Sequence, residues 1–333
     1  MSRKELYYRS YDGITKIHAM LWLTDNSADA DSPDENNKKT KAPALVKPRG
    51  IIQIVHGMVE HIGRYERFAE YMSSKGFIVA GNDHLGHGLS VFKGGIRGYF
   101  AEHNGNECVL RDIHTLHMIL RKKYPDLPYF LLGHSMGSFL TRQYIGRYAG
   151  HLDGAVIMGT GSYSPAMLEM GLSICRLEAL IHGWKYISSL VVQISSSSNN
   201  KRIPDAVTES DWLSKESKEV EKFRKDPLCG FKFTLNGYYN MFRSIRDCQS
   251  KKRMRLIPKN LPILLVSGAE DPIGDYGAGV QKAYKAYVNA GMRDVLCKLY
   301  PGDRHEILNE TDRERVYGDL LEWCSMKIIK KSP

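Results

Sequence analysis

The stretch Tyr129-Phe130-Leu131-Leu132-Gly133-His134-Ser135-Met136-Gly137-Ser138-Phe139-Leu140 constrains the chain more than any other. Apolar residues run into a glycine, a serine follows two places later, and a helical pattern begins at once. A covered strand, a turn too tight for ordinary side chains and a helix fit that order. Gly133 and Gly137 leave room for the backbone to double back, which lifts Ser135 to the tip of a sharp elbow above the positive end of the helix. A serine alcohol is a weak nucleophile until a base takes its proton, so the elbow predicts a histidine and an acid elsewhere.

The chain around this elbow alternates. Residues 50–56 form a nearly continuous apolar run, as in a strand covered on both faces. Tyr65, Phe68, Ala69 and Met72 then fall at helical spacing, Gly76 closes that helix, and Ile78-Val79-Ala80 begins another strand. Val109, Ile113, Leu116 and Leu120 share a face of a further helix that ends before Pro125. After the elbow come strands at residues 155–158, 262–267 and 295–300, and a last helix carrying Val316, Leu320, Leu321, Cys324 and Ile328. The pattern predicts an α/β fold with a mostly parallel, doubly wound sheet. Asp12-Gly13 marks a hairpin ahead of it. Residues 25–47 are rich in Asp, Asn, Ser, Lys and Pro and read as a flexible surface loop. Between residues 162 and 255 helical signals persist without a buried strand, so a helical insertion divides a core formed by residues 1–161 and 256–333.

Of 333 residues, 42% are hydrophobic, and no run approaches the length of a membrane span. The first residues lack an apolar leader, which reads as a cytoplasmic protein. The net charge of +10 is spread over short clusters such as Arg121-Lys122-Lys123 and Lys251-Lys252-Arg253. No basic stripe is interleaved with aromatics, which argues against a nucleic-acid partner. A weak attraction to anionic lipid surfaces is compatible with this charge. Six cysteines without a C-x-x-C pair suggest buried thiols rather than disulfides or zinc. The Asp83-His84-Leu85-Gly86-His87 loop reads as structural rather than as a metal site, and His114 and His117 as a surface helical pair. Neither a metal nor a cofactor is expected.

In parallel sheets, functional groups gather at the carboxyl ends of strands. The strand at 262–267 leads into Gly268-Ala269-Glu270-Asp271-Pro272, and that at 295–300 into Pro301-Gly302-Asp303-Arg304-His305-Glu306. The order Ser135, Asp271, His305 suits nucleophile, orienting acid and base, with Glu270 as the rival acid. The oxyanion donors expected are the backbone N–H groups of Met136 and of Met58, in the loop after the 50–56 strand.

Three motifs then carry a resemblance: His56-Gly57-Met58-Val59-Glu60-His61-Ile62-Gly63-Arg64-Tyr65, Asp83-His84-Leu85-Gly86-His87-Gly88-Leu89-Ser90 and Gly133-His134-Ser135-Met136-Gly137. With Asp211-Trp212-Leu213-Ser214, Asp226-Pro227-Leu228-Cys229 and Gly268-Ala269-Glu270-Asp271-Pro272-Ile273-Gly274, they resemble the monoacylglycerol lipase and lysophospholipase family of α/β-hydrolases from about residue 50 onward. The resemblance implies a serine esterase acting on single-chain glycerolipids, with the insertion as a lid over the acyl pocket. His56, Gly57, Glu60, His61 and Arg64 are expected to brace the loop carrying Met58. Met167, Met170, Leu177, Tyr238 and Phe242 are candidate pocket walls. A general short-chain carboxylesterase and a non-catalytic lipid-binding protein on the same fold are the alternatives.

Overall fold

The computed structural model describes residues 2–24, 48–204 and 206–329. The 25–47 segment read above as a flexible loop lies outside them. In chain order the elements are β1 (Ser2–Arg9), β2 (Lys16–Leu23), β3 (Gly50–Val55), α1 (Glu66–Ser74), β4 (Phe77–Asn82), α2 (Gly105–Lys123), β5 (Tyr129–His134), α3 (Met136–Tyr148) and β6 (Gly154–Met158). After them come α4 (Pro165–His182), α5 (Ser189–Ser196), α6 (Ser217–Lys225), α7 (Leu235–Cys248), α8 (Lys251–Met254), β7 (Ile263–Gly268), α9 (Ala278–Asn289), β8 (Val295–Tyr300) and α10 (Arg313–Ile329). No described helix is long and apolar enough to cross a membrane.

The strands make one sheet in the order β1-β2-β4-β3-β5-β6-β7-β8. β2 runs antiparallel to β1 and β4, and the remaining pairs are parallel. β3, β4, β5, β6 and β7 are buried along their whole length, as their continuous apolar runs require. At the edge, β8 alternates in burial. One face is covered by α1 and α10, where Phe68, Phe77, Phe130, Leu320 and Trp323 share a cluster; the other packs Val109, Ile113, Leu140 and Val280 of α2, α3 and α9. In the hairpin, the Asp12 carboxylate accepts from the N–H groups of Ile14 and Thr15, both at 2.8 Å.

Strand order reverses direction between β3 and β5, which places a crevice outside their carboxyl ends. The register pairs Val55 with Gly133, so the loops after both strands emerge side by side. The same logic sets Gly268 against Tyr300 and brings the segments after β7 and β8 together.

Helices α4 to α8 lie between β6 and β7, and no strand occurs there among the described residues. They do not behave alike. α7 packs on α2, α3 and α4. The Asn236 and Asn240 side-chain oxygens accept from the backbone N–H groups of Phe100 and Asn106, at 3.0 and 2.9 Å. α7 is therefore fastened to the body, although it falls inside the 162–255 span. α4 buries a stripe of Leu168, Leu172 and Cys175 and leaves much of its remaining surface exposed.

The elbow packs with little tolerance: a Cβ on Gly137 would lie 1.9 Å from the Val55 carbonyl oxygen and 2.6 Å from that of His56. Gly137→Ala is expected to cost about 1–3 kcal/mol or more through backbone displacement. A lowered urea midpoint at unchanged slope would show it, and an unchanged midpoint would disprove this packing.

Candidate active site

Ser135 adopts φ 53° and ψ −121°, a conformation L-residues rarely occupy. Three contacts hold it there. Its N–H donates to the Met158 carbonyl at 3.0 Å, its carbonyl accepts from Ser138 N–H at 2.8 Å, and close glycines surround it. A Cβ on Gly133 would sit 2.3 Å from the Gly137 oxygen, and one on Gly57 would sit 3.1 Å from the Ser135 Cβ. Met136 opens α3, so its N–H belongs to the first turn and lacks an intrahelical acceptor.

Asp271 and His305 meet across the ends of β7 and β8. His305 Nδ1 stands 2.9 Å from Asp271 Oδ1, both side chains being buried. Glu270 is exposed and takes no part. Asp271 also accepts from Ser267 Oγ at 3.0 Å and Ile273 N–H at 2.8 Å. Burial pushes its pKa up, but the His305 ring and these donors outweigh it and hold the carboxylate below the ordinary value. The His305 ring lies between His134 and Trp212, with centroids at 4.7 and 4.9 Å. Its Nε2 has no hydrogen-bond partner among the described residues.

The segment Asp211-Trp212-Leu213-Ser214 runs alongside the His305 loop as a strap. His305 N–H donates to the Trp212 carbonyl at 3.4 Å and Glu306 N–H to that of Leu213 at 2.7 Å. Arg304 Nη1 donates to the carbonyls of Asp211 and Ser214 at 2.7 and 3.2 Å. Trp212, Glu306, Tyr65 and His134 were not assigned roles from sequence. The available signals were their adjacency to Ser135 and His305 and their places in shared motifs.

Beneath the elbow lies a buried ionic group. Glu60 Oε1 accepts from Gly57 N–H at 2.5 Å and from Tyr65 OH at 2.8 Å, and Oε2 accepts from Arg64 at 2.8 Å. Arg64 also donates twice to Glu306, at 2.6 and 2.8 Å. His134 Nδ1 faces Tyr65 OH at 3.0 Å and Glu60 Oε1 at 3.4 Å, while its Nε2 faces the His305 carbonyl at 3.3 Å. A carbonyl only accepts, so Nε2 carries a proton, and a second proton on Nδ1 would give the ring a positive charge facing Glu60. Burial opposes that charge, but the hydrogen bond and charge of Glu60 prevail and raise the His134 pKa. Burial likewise opposes ionisation of Glu60, yet His134 and Arg64 hold its pKa well below the ordinary value.

The other predicted supports are also placed. His56 Nε2 accepts from His84 N–H at 3.0 Å, and the two rings lie tilted with centroids 4.0 Å apart. Asp83 accepts from Ile62 and Leu89 N–H groups at 2.9 and 2.8 Å, so the glycine-rich loop braces the one bearing Met58. His61 reaches Asp226 at 2.9 Å. His117 corrects the expectation of a surface pair: it is fully buried beside Tyr129, and burial lowers its pKa to about 3. The candidate pocket walls separate. Tyr238 is buried and Phe242 packs near it, but Met167, Met170 and Leu177 of α4 are 51%, 55% and 63% exposed. The buried stripe of α4 passes through Leu168, Leu172 and Cys175, so its helical period turns those three outward in this conformation.

This strand order, with the serine turn after the fifth strand, defines the α/β-hydrolase class. The chain belongs to the family described as serine aminopeptidase, S33, whose model matches residues 46–312. It is 27% identical to a monoacylglycerol lipase of Mycolicibacterium smegmatis over 281 residues, covering 83% of this chain and 88% of that protein. It is also 27% identical to the human monoglyceride lipase, covering 84% of each. A thermostable carboxyl esterase from Bacillus coagulans, solved in complex with glycerol, superposes with a TM-score of 0.85 at 29% identity, covering 98% of this chain and 99% of that one. The protein is thus a hydrolase of the lipase and esterase kind.

The Glu60 group carries a pH signature. A folded pKa below the ordinary 4.5 means its contribution is complete above that value and is lost as pH falls through the lowered one. A raised His134 pKa contributes below 6.5 and is lost as pH rises through the folded value. Glu60→Gln, which strands buried cations, is expected to cost about 3 kcal/mol at neutral pH and to flatten the acid limb of stability. Urea midpoints measured from neutral to acid pH check both.

Proposed function

We propose that the protein is a serine esterase that hydrolyses the acyl ester of a monoacylglycerol or lysophospholipid through an acyl-enzyme. The observation that carries this reading is the Asp271 and His305 pair, whose imidazole lies against the ring of His134, the residue before the strained Ser135 turn. In this mechanism His305 Nε2 takes the Ser135 proton as Oγ attacks the ester carbon. The N–H groups of Met58 and Met136 receive the developing oxyanion. His305 then passes its proton to the departing glycerol oxygen, and water repeats the sequence to release the fatty acid. Asp271 keeps the imidazole oriented and stabilises its charged form.

The glycerolipid assignment draws on the named activity of the lipase relatives and on an apolar cap. Helices α4 to α6 would serve as the lid, with Met167, Met170 and Leu177 turning toward an acyl chain when it moves. Leu180 and Ile181, 84% and 78% exposed, extend this surface toward the exposed Trp184 and Leu190. Such a face suits weak contact with a lipid aggregate. The carboxyl esterase likeness favours a second reading, a general short-chain carboxylesterase.

Ser135→Ala is expected to reduce turnover of a long-chain monoacylglycerol and of a p-nitrophenyl ester by about 10³-fold or more. Retained turnover would end the mechanism, and cleavage of short esters alone would select the second reading. A fluorophosphonate probe that fails to label wild type, alongside fatty-acid binding, would instead indicate a non-catalytic lipid-binding protein. Trp212 is a positioning residue in this scheme. Trp212→Ala should lower kcat/KM roughly 10- to 100-fold and shift its pH midpoint, with Trp212→Phe restoring most of both. An unchanged pH profile would refute the role.

A further inference from the structure

We propose that His61, Asp226 and Cys229 form a binding site for a zinc-type divalent cation, bridging the loop after β3 to the turn after α6. The imidazole nitrogen, carboxylate oxygen and thiol sulfur all lie within 4.8 Å of one another. Zinc bonds of roughly 2.0–2.3 Å in tetrahedral geometry separate neighbouring donor atoms by roughly 3.3–3.8 Å. His61 Nε2 and Asp226 Oδ2 are 2.9 Å apart, so the three donors close on an ion with shifts of about an ångström. Two residues of the trio come from a single turn, and the third joins it across 165 positions of sequence.

Backbone contacts already aim these donors. Leu228 N–H donates to Asp226 Oδ1 at 2.8 Å and leaves Oδ2 facing His61. Cys229 N–H donates to the Asp226 carbonyl at 3.0 Å, and Gly230 N–H donates to the Val59 carbonyl at 2.9 Å, which docks the turn on the loop. All three residues are partly exposed, leaving access and room for water as a fourth ligand. A mixed nitrogen, oxygen and sulfur set favours zinc over magnesium or calcium, which take oxygen.

The charges also suit a cation. Among the described residues Asp226 pairs with no lysine or arginine, and its ion-pair partner is His61. Its partner His61 accepts Gly63 N–H at Nδ1, 3.2 Å away, and so carries its proton on Nε2. On binding, that proton passes to Nδ1 at the expense of the Gly63 contact, and the Cys229 thiol releases its proton to solvent. An ion held there ties the cap turn to the loop bearing Met58.

Cobalt(II) titration of the full chain tests this directly, since a thiolate ligand produces a sulfur-to-cobalt charge-transfer band. Wild type is expected to bind one cobalt with that band, and zinc to displace it. Cys229→Ser should abolish the band and weaken zinc about tenfold or more, and Asp226→Asn should weaken zinc while keeping the fold. Cys297→Ser, at the other partly buried thiol, should leave the band intact. Absence of the band in wild type, its survival in Cys229→Ser, or its loss in Cys297→Ser would overturn the site. None of these readouts depends on ester turnover, so the esterase proposal stands or falls separately.

Discussion

The buried carboxylate of Glu60 is the interaction on which the centre of this molecule depends. One side chain joins the turn after β3 through Gly57 N–H, the helical turn leading into α1 through Arg64 and Tyr65, and the residue before the elbow, His134. His134 continues to the His305 carbonyl, and Arg64 to Glu306. Loops from three strands are thereby held in one electrostatic unit. An unpaired charge at such depth would be strongly destabilising, so each member requires the others. The cost of dehydrating them is offset only by this mutual satisfaction, which also makes the arrangement intolerant of displacement.

That rigidity explains how a strained serine persists. A non-glycine residue in the conformation of Ser135 is unfavourable by about 1–3 kcal/mol and remains only where its surroundings over-determine it. Here the Val55 to Gly133 register, the Ser135 to Met158 hydrogen bond and the close approach of Gly137 to β3 supply that determination. The insertion then contributes more than a cover. Its Asp211-Trp212-Leu213-Ser214 strap runs beside the His305 loop, so the position of the imidazole and that of the cap are linked through backbone hydrogen bonds and one ring contact.

Much of this is legible in the chain itself. Strand runs at β3, β5, β6 and β7 are apolar because both faces of the sheet are covered, and that leaves a plain signature. Asp271 and His305 follow strands in an order that reading the chain reveals. Burial of His117 was not legible, because a histidine on a helix face has the same pattern whether it meets solvent or Tyr129. The outward placement of Met167, Met170 and Leu177 was hidden for a similar reason. α4 is apolar on several faces, so its period does not show which stripe is buried.

The amino-acid order by itself determined the sheet, the elbow and the succession of serine, aspartate and histidine, because each rests on local periodicity or on glycine's freedom at a tight turn. Only the tertiary structure decided the surroundings of His134, the strap beside His305 and the meeting of His61, Asp226 and Cys229. Those depend on distances between groups far apart in the chain, and on how burial weighs against neighbouring charge. Neither quantity exists until the backbone has closed.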